Sequence, residues 1–192
     1  MFLGMVALLA VITVPFVGGR LALLAGLQIR GLYVLVPTLL VQVLITDVFT
    51  HAPSALLATL HLLTYAAAAY VIWLNRSLAG IVVVGVGAAL NAVTIAVNHG
   101  TLPASAAALR AAGIHETDGF ANSGVLAHPK LAFLGDSMST PAWLPFRNVI
   151  SIGDIVILAG VIVLVHVVCE SQVGRLLQRR PRLAANPQPA TR

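Results

Sequence analysis

The chain has 192 residues, of which 59% are hydrophobic and only 9% are charged, a balance that excludes a soluble domain and indicates a polytopic membrane protein. Its single cysteine, Cys169, excludes an intrachain disulfide, and its net charge of +5 comes largely from a C-terminal tail that fits lipid headgroups rather than nucleic acid. We therefore expect the lipid bilayer as a partner and no nucleic-acid partner.

Five apolar runs in the sequence each have a length that predicts a membrane-spanning helix. They cover about residues 2–18, 31–49, 54–74, 80–98 and 151–168. The first run follows no Lys or Arg and precedes no small-residue cleavage site, so we expect a retained helix rather than a signal peptide. The predicted fold is all-α, a transmembrane bundle of five helices formed by residues 1–172.

The fourth run carries small and polar residues on one helical face. Gly80, Gly87, Asn91, Thr94 and Asn98 share this face because their spacings match 3.6 residues per turn. Glycines allow a neighbouring backbone to come close, and an amide at membrane depth must find a partner within the protein. We therefore expect this helix to be central in the bundle.

A long segment of different composition, residues 99–150, separates the last two runs, and we call it the outer loop. It is rich in Pro, Gly, Ser and His, and Pro103 and Gly113 predict the start and the stop of a short helix at about 104–112. Loops of this length often have a function. We expect the outer loop to act as a lid over the bundle.

The arginines set the orientation of the predicted bundle. With five spans, Arg20, Arg30, Arg76 and the tail arginines fall on one side, whereas the short loop at residues 50–53 on the other side has no Lys or Arg. The positive-inside rule then predicts an outside N-terminus, a cytoplasmic C-terminus and an outer loop outside the cell. The basic tail, residues 173–192, is expected to be disordered in the cytoplasm.

Polar side chains from four different spans lie at a similar predicted depth, within about two turns of the outer ends of their helices. Polar groups at that depth cost free energy unless they meet, which suggests a cavity or a hydrogen-bonded cluster under the outer loop. Asp136, within the loop, could join this cluster. The candidate ligand-binding residues are Gln42, His61, Asn91, Asn98, Asp136 and Asp154.

A purely structural role for these polar groups is the main alternative, because they could satisfy one another and hold the helices together. Ser151 and Asp154 match a capping box, in which the Ser oxygen and the carboxylate bind the free amides at the start of a helix. A helix cap is therefore the simplest role for Asp154. A second role in binding a cation, a proton or a ligand hydroxyl stays open.

Motifs for catalysis, metal binding or haem binding are missing from the sequence. It has no Gly-x-Ser-x-Gly, no Gly-rich phosphate loop, and no His-Glu-x-x-His or His-x-x-x-His spacing. His61 and His166 lie at different predicted depths, which argues against haem held between two helices. We therefore assign no catalytic residue, no metal ligand and no cofactor.

Three short motifs give the chain a family resemblance. They are Asn-His-Gly-Thr-Leu-Pro at residues 98–103, Leu-Gly-Asp at 134–136 and Ser-Ile-Gly-Asp at 151–154. With them the chain resembles an uncharacterised family of small bacterial integral membrane proteins with about five spans, an Asn-Gly-Gly-x-Met-Pro type turn and a Ser-Ile-Gly-Asp entry to the last span. His99 and Leu102 depart from that pattern, which has Gly and Met there.

The resemblance covers about residues 21–164 and implies a bacterial plasma membrane protein without a known activity. The positions that match the family pattern are Asn98, Gly100, Pro103, Asp136 and Asp154.

Three functions remain open from the sequence. The first is a small-molecule or lipid-binding protein, related to transport, with its polar site in the outer half of the bundle under the outer loop. The second is an accessory subunit that docks onto other membrane subunits through the Gly80 and Gly87 face or through the last span. The third is a membrane-embedded enzyme that uses Asp136, Asp154 and His128 as acid and base. We favour the first function.

Overall fold

The computed structural model describes residues 2–114, 123–141, 144 and 147–178, and these are mostly helical, which confirms the helical class predicted from the sequence. Each of the five apolar runs contains a helix. The helices are α1 (Phe2–Phe16), α2 (Leu32–Val43, continued by a π-helix at Leu44–Val48), α3 (Ser54–Leu74), α4 (Ile81–Val97), α5 (Ala106–Ala112), α6 (Ile152–Val168) and α7 (Gln172–Gln178). Short 3-10 helices occupy Leu21–Gly26 and Ala132–Leu134.

One described helix, α3, is both long enough and apolar enough to cross a membrane. A second candidate membrane span results if α6 and α7, which meet at a bend of 103°, are counted together as one span. The helices α1, α2 and α4 are apolar but shorter. By length and composition alone, one or two of the described helices are therefore candidate membrane spans.

Neighbouring helices pack side by side in the order α2, α3, α4, α6, α1, so α4 lies between α3 and α6. Two backbone contacts show which helix ends lie together. The Arg20 amide donates to the Cys169 carbonyl (2.8 Å), and the Arg30 amide donates to Asn75 Oδ1 (2.9 Å). The C-terminal ends of α1, α3 and α6 therefore lie at the same end of the bundle as the beginning of α2.

Close packing between α4 and α6 depends on glycine in both helices. Gly80, which immediately precedes α4, and Gly87 within α4 face Gly160 and Gly153 of α6 in antiparallel order. A Cβ at Gly87 would lie 2.5 Å from the Gly153 carbonyl oxygen, and a Cβ at Gly160 would lie 2.6 Å from the backbone nitrogen of Val84. Because these neighbours are backbone atoms, no side-chain rotation can make room, and the short helix separation requires glycine.

The outer loop carries short strands that the all-α prediction does not include. Strand β1 (Leu102–Pro103) pairs in parallel with β2 (Ser123–Gly124), and β3 (Met138–Ser139) pairs in antiparallel fashion with β4 (Val149–Ile150). Each strand has only two residues and forms where distant parts of the loop meet. No alternating pattern in the sequence could therefore predict them.

The loop helix α5 begins at Ala106, two residues after the predicted start. The preceding residues are held in backbone pairing: the Ala104 amide donates to the Gly124 carbonyl (2.8 Å), and the Ser105 amide donates to the Asp136 carbonyl (2.9 Å). Ser105 caps the helix, and Gly113 ends it with a positive φ of 65°. One side of α5 is buried against Val149 and forms a small core within the loop.

The boundary predicted between the bundle and a disordered tail, at residue 173, falls inside α7. His166 Nδ1 lies 2.9 Å from Ser171 Oγ, which also accepts a hydrogen bond from the Gly174 amide (3.0 Å). This contact fixes the bend between α6 and α7. The prediction of disorder was therefore wrong for residues 173–178, and residues 179–192 lie outside the described residues.

Candidate functional site

Asn91 and Asp154 join α4 to the start of α6. Asn91 Nδ2 donates to Asp154 Oδ1 (3.0 Å), and Asn91 Oδ1 accepts from the Ser151 hydroxyl (3.0 Å). The capping box expected from the sequence is present, because Ser151 Oγ accepts from the Asp154 amide and Asp154 Oδ2 accepts from the Ser151 amide. Gly153 makes the contact possible, since a Cβ there would lie 2.0 Å from Asn91 Oδ1.

Asn98 attaches the outer loop to the end of α4. Its Nδ2 donates to the Lys130 carbonyl and to the Thr94 carbonyl, and its Oδ1 accepts from the Lys130 amide, each at 2.8 Å. All three partners are backbone groups, and the two hydrogen bonds with Lys130 resemble those that a neighbouring strand would make with the loop. Asn98 thereby attaches the loop backbone at Lys130 to the end of α4.

His61 lies on α3 beneath the turn that leaves α4. Its ring is fully buried, and Nδ1 is 3.1 Å from the Gly100 carbonyl oxygen. Gly100 has a φ of 103°, and a Cβ there would lie 2.3 Å from the Ala58 Cβ, so only glycine lets this turn approach α3. The ring of Tyr65, one helical turn further on, lies 5.5 Å from the His61 ring.

Gln42 makes a separate contact between α2 and α3. Its Oε1 lies 2.8 Å from the Thr64 hydroxyl, which is also 2.6 Å from the His61 carbonyl oxygen, so the single hydroxyl hydrogen is shared between these two acceptors. Gln42 therefore reaches the neighbourhood of His61 through Thr64.

Asp136 is the candidate residue whose side chain is least satisfied by the protein. It is 5% exposed, and within the described part of the chain its Oδ1 is buried and accepts no hydrogen bond. Its backbone is firmly held, because the Asp136 amide donates to the Pro103 carbonyl (2.8 Å). Gly135 permits this pairing, since a Cβ there would lie 2.1 Å from the Pro103 carbonyl oxygen.

The carboxylate of Asp136 is in an environment that disfavours its charged form. Burial raises its pKa from 3.8 to about 6, a hydrogen bond with Ser123 acts in the opposite direction, and the charge of Asp154 raises the pKa further. Asp136 and Asp154 are therefore close enough to interact electrostatically. Both carboxylates also interact electrostatically with Tyr65.

These electrostatic interactions link a carboxylate from the outer loop, a carboxylate from α6 and a phenol from α3. We call Asp136, Asp154 and Tyr65 the acidic site. Asn91 donates a hydrogen bond to Asp154, and the His61 ring lies beside the Tyr65 ring. Gln42 and Asn98 instead form hydrogen bonds with Thr64 and Lys130. An acidic site with a free acceptor oxygen can bind a hydroxyl group, an ammonium group or a proton.

Two further observations concern the metal and enzyme hypotheses. Over residues 2–114, 123–141, 144 and 147–178, no group of three or more His, Cys, Asp or Glu side chains lies close enough to hold a metal ion. His128, the third member of the enzyme hypothesis, is exposed on the loop surface.

The candidate residues predicted from the sequence do not include Tyr65, Ser123 and Thr64. Tyr65 follows His61 by four residues and so shares its helical face, which is a signal that could have included it. Ser123 reaches Asp136 only because two distant parts of the loop pair, and no spacing predicts that contact.

In a comparison with protein families, residues 26–166 match DUF5317, a family of unknown function. No curated protein and no solved structure matches the chain. The matched segment includes the acidic site and all three motifs that carry the family resemblance, and the match confirms that resemblance. The chain belongs to the DUF5317 family, a family of unknown function.

Proposed function

We propose that this is a five-span protein of the bacterial plasma membrane that binds a lipid-like small molecule, in a role related to transport. The ligand's polar group would occupy the acidic site, in the outer half of the bundle under the outer loop. The observation that carries this proposal is the buried Asp136 oxygen, which accepts no hydrogen bond within the described residues.

The distribution of polar and apolar side chains supports five spans. The buried set includes His61, Asn91 and Thr94, whereas large apolar side chains are exposed on α1, α2, α3, α4 and α6, as with Phe16 (83% exposed) and Tyr33 (74%). A soluble bundle has the opposite distribution. The helices α4 and α6 have 17 residues each, at the lower end of the roughly 17–25 residues that suit a bilayer.

The positions of the arginines support a cytoplasmic C-terminus. Arg20 forms an ion pair with Glu170, and Arg30 contacts Asn75 through its backbone, next to Arg76. These arginines therefore lie at the same end of the bundle, opposite the outer loop. Positive charge concentrates on the cytoplasmic side of membrane proteins, so the acidic site would open towards the outside.

A ligand in this site would supply the hydrogen bond that Asp136 lacks. Asp154 is already engaged by Asn91 and Ser151, so Asp136 is the available acceptor. Because the site holds two carboxylates, a hydroxyl or ammonium group fits its charge and an anionic group does not. Asp136 is a buried residue of the outer loop itself, so we expect the loop to move for entry, with Asn98 as its fixed point.

The test is to identify what the protein carries when it is purified. The full chain is extracted from membranes in mild detergent, and its organic extract is compared by mass spectrometry with that of Asp136→Asn. We expect at least one compound enriched over the bulk lipid and about tenfold less of it in Asp136→Asn, the effect of losing one charged hydrogen bond.

Glu170→Gln is the matched control, because it neutralises an exposed carboxylate at the opposite end of the bundle. It should retain the enriched compound in full. Equal amounts of the compound in Asp136→Asn and the parent protein, with both monodisperse, would overturn the proposed site.

A further inference from the structure

A long apolar groove runs between α3 and α4 on the surface of the protein. Its volume is about 710 Å³, within the range of roughly 300–1,000 Å³ that is typical of ligand pockets. Small side chains on both helices leave this space open, among them Ala66 and Ala69 of α3 and Ala89 and Ala92 of α4. The groove is thus shaped to accept an extended apolar group.

Its two ends differ in chemistry. One end is lined by Trp73 and Arg76, at the arginine-rich end of the bundle, and towards the other end the lining includes Leu62 and Tyr65. From Leu62 to Arg76 the rise along α3 is roughly 20 Å at 1.5 Å per residue. A hydrocarbon core is roughly 30 Å thick, so the groove extends from the cytoplasmic interface past the middle of the bilayer.

Arg76 is held at the mouth of the groove rather than extended into solvent. Its guanidinium lies over the Trp73 ring, 4.9 Å from the ring centroid, and Nη1 donates to the Trp73 carbonyl (2.8 Å). Among the residues that the structure describes, no carboxylate lies within ion-pair distance of Arg76. The guanidinium therefore keeps donors for an anionic group.

A second positive charge lies at the same end of α3. Asn75 Oδ1 accepts from the Arg30 amide (2.9 Å), and Asn75 Nδ2 donates to the Arg30 carbonyl (2.8 Å), so the chain turn that carries Arg30 is fixed beside Arg76. Neither α3 nor α4 contains Asp or Glu. The mouth of the groove is consequently positive, while its walls are apolar.

We propose that this groove binds one anionic phospholipid of the cytoplasmic leaflet, with an acyl chain between α3 and α4 and the phosphate on Arg76. An amphiphile of this kind matches an apolar channel with a cationic group at one end only. The inference rests on the proposed membrane embedding, but it does not depend on what the acidic site binds.

The test uses quenching of Trp73 fluorescence by brominated acyl chains. The full chain carrying Trp143→Phe is reconstituted into phosphatidylcholine vesicles that contain the same mole fraction of either brominated phosphatidylglycerol or brominated phosphatidylcholine. From the quenching of Trp73 by the two brominated lipids, we expect phosphatidylglycerol to bind in the groove about fivefold more strongly than phosphatidylcholine. This ratio corresponds to the roughly 1 kcal/mol that one basic residue contributes to binding an anionic lipid.

Three variants distinguish binding in the groove from attraction to the positive charge of the whole membrane face. Arg76→Gln should reduce the preference to none, and Ala89→Phe, which fills the groove, should also reduce it. Arg20 lies at the same membrane face but is paired with Glu170, so Arg20→Gln should keep the preference for phosphatidylglycerol. A preference that Arg20→Gln removes as fully as Arg76→Gln would indicate general surface charge and overturn the site.

Two further outcomes would overturn the inference in the parent protein. Equal quenching by the two lipids means that the groove does not select an anion. Quenching by neither lipid, together with a dimer in detergent, means that a second copy covers the groove. Asp136→Asn, measured alongside, should leave the lipid preference unchanged, so failure here is distinguishable from failure of the acidic site.

Discussion

Asn75 and Asn98 hold distant segments of the backbone by the same set of hydrogen bonds. Each follows the last residue of a long helix, donates to the carbonyl four residues earlier, and exchanges two further hydrogen bonds with a single distant residue. That residue is Arg30 for Asn75 and Lys130 for Asn98. The two amides thus attach one connecting segment at each end of the bundle, using backbone groups that an apolar side chain could not satisfy.

The first prediction concerns the attachment of the outer loop. Asn98→Leu removes three hydrogen bonds, so we expect hydrogen exchange of the peptide around Lys130 to become at least about tenfold faster, corresponding to a loss of about 1.4 kcal/mol or more. Asn75→Leu is the matched control and should accelerate exchange around Arg30 instead. Unchanged exchange at Lys130 in Asn98→Leu would contradict the role of Asn98.

The second prediction concerns His99, which occupies a position that favours glycine. His99 has a φ of 58°, and the Gly100 amide donates to the Ile95 carbonyl (2.9 Å), which is the helix-ending turn that usually has glycine at this point. A left-handed conformation costs a residue with a side chain about 1–2 kcal/mol. We expect His99→Gly to raise the free energy of unfolding in detergent by about 1 kcal/mol. His99→Ala should give no such gain, and a less stable glycine variant would show that the His99 side chain makes a compensating contact.

The third prediction concerns the protonation of Asp136. Its pKa of about 6 lies above its ordinary 3.8, so between these values the folded protein binds more protons than the unfolded chain. The free energy of unfolding should therefore fall as pH rises from about 4 to about 6 and then level off. Asp136→Asn should remove this slope and be more stable than the parent at pH 7.5, by up to about 3 kcal/mol.

Thermal unfolding in detergent across this pH range measures the effect. Glu170→Gln should keep the slope of the parent protein, because Glu170 is exposed. An Asp136→Asn variant that is less stable than the parent at pH 7.5 would mean that the carboxylate serves the fold alone. Greater stability combined with loss of the co-purified compound is the pattern expected of a binding residue.

At the scale of secondary-structure elements, the pair α4 and α6 provides the rigid part of the molecule. Glycines seven residues apart on each helix, Gly80 and Gly87 against Gly153 and Gly160, allow the backbones to touch. The same approach brings Asn91 to the capping box of α6, so the packing of these helices also builds one wall of the acidic site.

The fourth prediction tests that packing. Gly87→Ala places a Cβ against the backbone of Gly153 and Ile157, so we expect it to lower stability by about 1–3 kcal/mol. Gly85→Ala is the control, because its Cβ would meet no backbone atom and only the Ile72 side chain, with Cγ2 at 3.0 Å. Thermal unfolding should rank Gly85→Ala close to the parent and Gly87→Ala well below it. Equal Tm values would show that α4 and α6 are not in backbone contact.

The sequence predicts these helices better than the loop between them. The apolar runs, the spacing of Gly80, Gly87 and Asn91, and the Ser151 capping motif are local patterns, so they predict the helix bounds and the face of α4 that packs on α6. The contacts of Asn98 with Lys130 and of Asp136 with Pro103 join residues about thirty positions apart. They depend on how the chain returns over the bundle, which no local pattern contains.

At the scale of the whole molecule, the protein has two chemically different ends. Arg20, Arg30 and Arg76 lie at one end, where Glu170 pairs with Arg20, and the other end carries Asp136 of the outer loop and Asp154 in the first turn of α6. With the loop outside, a ligand would enter the acidic site from outside, while the groove between α3 and α4 would contact cytoplasmic-leaflet lipid. The charged ends of the two proposed sites thus lie at opposite faces of the membrane, and Tyr65 borders both sites.

The fifth prediction is the topology itself. In a protein that carries Cys169→Ser, one residue at a time is replaced by cysteine in four segments outside the predicted spans. The four positions are His51, Ser77, Ser137 and Gln178. In intact bacterial cells we expect an impermeant thiol reagent to label cysteine at His51 and Ser137, and to label cysteine at Ser77 and Gln178 only after permeabilisation. Labelling at Ser77 from outside, or at only one of His51 and Ser137, would contradict five spans in this orientation.

A density map of the protein purified with its native lipids would show directly whether a ligand occupies the acidic site. We predict non-protein density beside Asp136, with an atom about 3 Å from Oδ1 and the outer loop closed over it. A map in which Oδ1 instead accepts a hydrogen bond from a residue of the chain, with no additional density between Asp136, Asp154 and Tyr65, would contradict ligand binding there.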